Sequence, residues 1–337
     1  MLNILYQTRK DVLALMPKAS GRKSTSKINK NFYGYLFTAP FIIGFLLFSL
    51  YPLIYTFFLS FTNMTMMSKT YKMIGLENFT KLFADKFFLQ AMANTWKLWL
   101  LNFIPQIGIA MLLAVWFTSN RLKIKFVGIW RTIFYLPNLL MPATIAVMFF
   151  SFFSLYGPVN QFTVRAGIIN DAIDFFRSNG WTQSILVFIQ WWMWFGSTLI
   201  ILMAGMTSIS PTYYEAAMVD GASSWDMFAK ITLPLLKPVL IYTLVTSLVG
   251  GMQMFDIPYM LTDGRGSPNN SIMTMNVLMY MKFSSNKGHI GAASSVGIMI
   301  FIITSIAALL VMKALSEREH KPAKKAIKVF AKGDLKA

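Results

Sequence analysis

The sequence predicts an all-α polytopic membrane protein with six transmembrane helices, and three observations predict it. The chain of 337 residues is 55% hydrophobic and only 13% charged, about half the charged share of a soluble globular domain. Six long stretches, 31–68, 98–120, 132–164, 178–214, 238–255 and 288–312, contain no Asp, Glu, Lys or Arg. The basic residues concentrate in alternate segments between those stretches. An ordinary soluble enzyme and a disordered chain are thereby excluded. With no cysteine there is no disulfide framework and no thiolate nucleophile, and two histidines are too few for a usual zinc site.

Each span follows from length. A crossing helix needs about 20 mostly apolar residues, because lipid offers no partner for a backbone N–H or C=O. The spans are expected at about 33–61, 93–118, 130–153, 182–207, 238–262 and 289–312. The third holds Asn138 between Pro137 and Pro142, residues that predict a kink. In the fifth the apolar run continues past Asp256 to Leu261, so that acid falls inside it. The uncharged segment 266–281 opens too polar, and is too short, to cross alone.

Orientation comes from Lys and Arg. Twenty-one of the 31 lie in the segments 1–33, 119–131, 208–238 and 313–337. Six crossings bring both tails to one side, which the basic tails assign to the cytoplasm. The net charge of +18 is then a membrane-surface charge, not a nucleic-acid footprint. The expected organisation is a basic N-tail over 1–32, a six-helix transmembrane domain over 33–312 and a basic C-tail over 313–337. The first 30 residues lack the long apolar core of a secretory signal.

One loop of that side is more than a connector. Residues 208–238 read SISPTYYEAAMVDGASSWDMFAKITLPLLKP. Ser210 is placed to cap a helix that has Pro211 in its first turn. That helix is expected to run to Val219 and to break at Asp220-Gly221. Ser223 and Asp226 have capping-box spacing for a second helix carrying Trp225, Phe228 and Ile231. Pro234 and Pro238 close it and open the fifth span. Residues alone allow an interfacial anchor or a docking surface for a cytoplasmic partner.

Glu215-Ala216-Ala217, Asp220-Gly221-Ala222, Phe228, Ile231, Pro234 and Pro238 resemble the EAA loop of binding-protein-dependent ABC importers. The pattern is E-A-A-x-x-x-G with following prolines, between the fourth and fifth of six spans. Tyr35–Pro40, Gly75–Phe79 and Tyr259–Thr262 are similar to flanking features of the maltose-type carbohydrate permeases. The likeness covers roughly 32–314. It lacks the extra N-terminal spans and large external domain of the long maltose permease.

The resemblance implies a type I ABC importer fold and a transport subunit without bond chemistry of its own. An extracytoplasmic sugar-binding lipoprotein would deliver an oligosaccharide. A second, different permease would complete a heterodimer, and cytoplasmic ABC ATPase subunits would hold ATP and magnesium. This chain lacks a G-x-x-x-x-G-K-[ST] phosphate loop, so no cofactor is expected on it. Glu215, Ala216, Ala217, Asp220, Gly221, Ala222 and Phe228 would form the coupling contact, with Glu215 as charged anchor or helix-dipole partner.

Sugars need hydrogen-bonding groups and aromatic faces. Candidates for the substrate path are Gln253 and Asp256, beyond a helix weakened at Gly250-Gly251, with Asn138, Gln190, Trp191 and Trp194. The tryptophans could equally form a packing face or belt. Asn102 and Gln106 read as helix–helix hydrogen-bonding residues, and Lys97 as snorkelling to the outer interface. A competing class, an ion-coupled secondary transporter, would use intramembrane carboxylates, and Asp256 alone qualifies.

Overall fold

The computed structural model describes residues 30–68, 70–119, 122–262 and 264–316. Most of the expected tails, 1–32 and 313–337, lie outside the described residues. The chain divides into two compact units, Met1–Ile54 and Tyr55–Ala337. The first span, Tyr33–Leu59, starts in the first unit and widens to a π turn at Leu46–Leu50. Among the described residues the one extended pairing is an isolated bridge, Thr62 to Met73. Six helices are long and apolar enough to cross a membrane.

The second span, Lys86–Thr118, starts earlier than the 93 expected. The added residues include Lys86, in the first turn, where a helix end at the interface tolerates charge. Asp85 caps it, its carboxylate accepting from the Phe87 amide at 2.9 Å. Asp85 also pairs with Lys282 at 2.9 Å. Partial burial raises its pKa, but the Lys282 hydrogen bond and charge and the helix amides outweigh that and lower it.

The third candidate span is Pro142–Arg165, later than the 130–153 expected, and the kink predicted at Pro137 and Pro142 separates it from a preceding helix. The chain here forms Val127–Tyr135, a 3-10 turn Leu136–Leu139 and a new helix Pro142–Phe153. Met141, before Pro142, is extended at φ −68, ψ 124, as the proline ring demands. This broken segment runs antiparallel to the fourth span, Asn179–Thr207. Phe134 meets Phe195 at 5.5 Å and Phe149 meets Trp192 at 5.8 Å.

The fifth span, expected at 238–262, is found at Lys237–Met260. Its helix runs Lys237–Met252, leaves helical geometry at Gln253–Phe255 and resumes as Asp256–Met260. Gly250-Gly251 do not break it, since the helix continues through both. Gly251 instead admits the Trp99 indole of the second span. A Cβ there would lie 2.0 Å from Trp99 Cδ1. Trp99 stacks on Phe103 at 5.3 Å and its Nε1 donates to Ser247 Oγ at 3.3 Å.

The second and fourth spans form the spine. Gln106 Nε2 donates to Thr198 Oγ1 at 2.8 Å, the interhelical bond expected of Gln106. Small residues Ala110 and Ala114 let Leu199, Leu202 and Met206 pack close, with Leu236 from the loop end. Lys97 at the other end donates to Gln183 Oε1 at 2.8 Å. The segment read as too short to cross forms the helix Met275–Phe283. It buries Met275, Val277 and Leu278 in one cluster with Val296 and Ile300 of the sixth span, Ile290–Ser316.

Candidate functional site

Two features stand out, a helical hairpin between the fourth and fifth spans and an open cavity lined by uncharged residues, several of them polar, between three spans. The hairpin's first helix is Pro211–Val219. Ser210 adopts the expected extended backbone but makes no side-chain cap; its hydroxyl donates to Thr212 Oγ1 at 3.2 Å. The helix ends in a Schellman turn. Ala222 N donates to Ala217 O at 2.9 Å and Gly221 N to Met218 O at 3.1 Å. That geometry puts Gly221 at φ +76, where a side chain costs energy.

The second helix starts with the expected capping box. Asp226 N donates to Ser223 Oγ at 3.1 Å, and Ser223 N to Asp226 Oδ2 at 3.3 Å. Lys230 Nζ reaches Asp226 Oδ1 at 2.7 Å. The Lys230 hydrogen bond, then the Ser223 bonds and the lysine charge, lower the Asp226 pKa from 3.8 to about 2. The helix widens to a π turn at Phe228–Thr232 and passes Pro234 to Leu235. Pro234 therefore does not stop it. The wider turn, with Leu233 N on Phe228 O, accommodates a residue that lacks an N–H and crowds the preceding turn. Tyr214 and Thr232 join the two arms at 2.9 Å between hydroxyls.

The hairpin presents apolar side chains outward. Val219 is 88% exposed and Trp225 72% exposed, with Tyr213 and Met218 also exposed. Glu215 and Ala216 lie on the surface, Asp220 and Gly221 at the tip. Ala217, Ala222 and Phe228 are half-buried. Glu215 and Phe228 border a hollow of about 420 Å³ between the hairpin and the ends of the second and fourth spans. Among the described residues no cation pairs with Glu215. The predicted coupling residues thus share one short structural element.

The cavity, about 270 Å³, lies between the second, fourth and fifth spans. Asn102 and Gln106, Gln190 and Trp194, and Ser247 and Gly250 contribute from the three. None of its lining residues is charged. Asn102 is 5% exposed and its Oδ1 has no hydrogen-bond partner. A buried acceptor left unmade costs about 1–3 kcal/mol, and this one belongs to a residue that lines the cavity. Gln190 is 7% exposed.

The other path candidates are not brought together there. Trp191 stacks on Phe195 at 5.2 Å, with its buried Nε1 unpaired. Gln253 and Asp256 are exposed on either side of the helix break. Asn138 is half-buried in the 3-10 turn. Asn102 was read as a bridging residue only. A helical stripe held the missing signal. Asn102 and Gln106, Gln190, Trp194 and Thr198, and Ser247, Gly251 and Met254 recur at three- and four-residue spacing.

Six crossings, a structured hairpin before the fifth and a cavity without charge define a solute-transport subunit. A family model, the binding-protein-dependent transport system inner membrane component, matches residues 98–321. The chain belongs to that family. It is an ABC-importer permease and a multi-pass plasma-membrane protein. The lactose transport system permease protein LacF of Rhizobium radiobacter is 32% identical over 304 residues, 89% of this chain and 100% of that one. The arabinooligosaccharides transport system permease protein AraP of Bacillus subtilis is 30% identical over 287 residues, 83% of this chain and 87% of that one. A chain of a bacterial alginate ABC transporter, solved with an alginate pentasaccharide-bound periplasmic protein, matches with TM-score 0.73 and 25% identity. It covers 87% of this chain and 97% of its own length.

Proposed function

We propose that this permease carries a neutral sugar, an oligosaccharide by class, through the cavity bounded by Asn102, Gln190 and Trp194. The observation that carries the proposal is the cavity itself, with buried amides, an unpaired acceptor and an exposed indole but no charge. Amides suit hydroxyls, and the indole suits the CH face of a pyranose. Relatives whose names specify lactose and arabinooligosaccharides support the substrate class. An extracytoplasmic binding protein delivers the sugar, and a second, different permease completes the path. Cytoplasmic ATPase subunits bind the nucleotide and receive the hairpin through Glu215, Ala216, Ala217, Asp220, Gly221, Ala222 and Phe228. Both tails and the hairpin face the cytoplasm, in keeping with the distribution of Lys and Arg. Trp191, Asn138, Gln253 and Asp256 remain candidates for the path where it widens toward the second permease.

The test is uptake by proteoliposomes holding the whole importer, with a panel of labelled oligosaccharides. Gln190→Leu removes one donor and one acceptor from the cavity, and about tenfold lower uptake is expected at subsaturating sugar, from a loss of about 1.4 kcal/mol. ATP hydrolysis stimulated by unliganded binding protein should hold. Unchanged uptake by Gln190→Leu and by Trp194→Ala would remove the cavity from the path.

A further inference from the structure

We infer that the 122–131 segment is a binding site for an anionic phospholipid headgroup at the membrane surface on the hairpin end. The connection between the second and third spans has four cations and no acid over 119–131. Lys123 and Lys125 are exposed. Beside them, Leu122, Phe126, Ile129 and Trp130 are exposed apolar side chains, Phe126 at 73%. Cations and large apolar groups on one short segment match a lipid, whose phosphate and acyl chain are joined, better than a free anion.

Arg131 supplies the second observation. It is half-buried on the helix Val127–Tyr135, and its Nε is sealed from solvent without a hydrogen-bond partner. No acid pairs with it among the described residues. Arg131 stands on the helix that directly follows the turn carrying Lys123 and Lys125. Its Cα lies only about 6 Å along the axis from that of Val127, within headgroup depth. The guanidinium fork fits two phosphate oxygens, and the lysines add point charge.

The backbone supports a formed site. Lys123 has φ 43 and Phe126 φ 59, left-handed values that are uncommon outside glycine and rarer still for an aromatic residue. Such conformations cost energy and gather at ligand clamps. Here they turn Phe126 outward, while Val127 packs beside Phe117 and Phe134 in the cluster around Met206 and Leu236. The site is thereby fixed to the base of the coupling hairpin.

The test is native mass spectrometry of the full chain released from nanodiscs of equal phosphatidylglycerol and phosphatidylcholine. Wild type should retain phosphatidylglycerol in preference to phosphatidylcholine. Each cation removed should lower retention about fivefold, so the Lys123→Gln, Lys125→Gln, Arg131→Gln triple variant should lose it about a hundredfold. Should that variant fail to fold, the double variant of the exposed Lys123 and Lys125 must still lose about 25-fold. Equal retention by wild type and double variant overturns the site. Displacement of the adduct by millimolar inorganic phosphate overturns the lipid assignment. Neither outcome bears on sugar uptake, so this inference and the proposed function fail separately.

Discussion

Gly221 offers a graded test of the hairpin. Its φ of +76 is set by the Schellman turn, and a Cβ added there meets nothing within 4 Å. The cost of a side chain is therefore backbone conformation and not collision. Alanine should cost about 1–2 kcal/mol, and asparagine less, because its side chain tolerates the left-handed region. Proline fixes φ near −65° and deletes the N–H that meets Met218 O at 3.1 Å, for about 3 kcal/mol or more. The Ala222 amide, bonded to Ala217 O at 2.9 Å, reports the turn by hydrogen exchange. Its protection should fall about 5- to 30-fold in Gly221→Ala, less in Gly221→Asn and more in Gly221→Pro. Binding-protein-stimulated ATPase activity of the assembled importer should fall in the same order. Alanine matching proline in both assays would refute the conformational argument. Loss of ATPase activity in Gly221→Asn with exchange unchanged would point instead to a steric limit in the partner's cleft.

Three further outcomes are expected. Gly251→Ala drives a methyl to 2.0 Å from Trp99 Cδ1, and should cost about 1–3 kcal/mol as overpacking, read as a lower unfolding temperature in detergent. Its neighbour Gly250 has nothing within 4 Å, so Gly250→Ala should leave that temperature unchanged and reduce sugar uptake by narrowing the cavity. Glu215→Lys should lower coupled ATPase activity without altering hairpin exchange; normal activity would detach Glu215 from coupling. Asp226 has a folded pKa of about 2 against an ordinary 3.8, so its ionised form supports the second helix. That support is complete above pH about 4 and fades as pH falls through the interval toward 2. Met227 amide protection, corrected for intrinsic rate, should be flat from neutral pH to about 5 and drop below about 4. Lys230→Met should move the drop upward, and a drop centred near neutral pH would contradict the pairing.

Local signals made the hairpin legible. Pro211, Gly221 and the Ser223–Asp226 pair each act within four residues, and each sits where its chemistry dictated. Span number was legible from length, since a lipid-exposed crossing must satisfy its backbone groups within about 20 mostly apolar residues. The breaks were less so. Pro137 and Pro142 announce a kink, and the helix restarts at Pro142, but they do not tell that a 3-10 turn forms over Leu136–Leu139. The cavity was half legible. Polarity in an apolar run marks Gln190 and Gln253 equally, yet only one of them shares a stripe with Trp194 and Thr198. Helix phase decides this, since at about 100° per residue Gln253 and Asp256 fall on the side away from Ser247 and Gly251.

The hairpin and the cavity are parts of one mechanical element. The second hairpin helix ends at Leu235, and a single turn residue, Leu236, joins it to the fifth span at Lys237, so the connection from the hairpin to Ser247 and Gly250 is short. From Lys237 to Gly251 the helix advances about 21 Å, which carries a tilt at the hairpin to the cavity wall. Tyr214 and Thr232, joined at 2.9 Å, tie the EAA helix to that same rod. Leu236, packed with Leu202 and Met206, forms the contact about which it can pivot on the fourth span. At the far end the rod stops at Met252, one residue past the glycine that admits Trp99. At that end the fifth and second spans meet directly, Gly251 lying against a Trp99 indole that Phe103 and Ser247 hold in place.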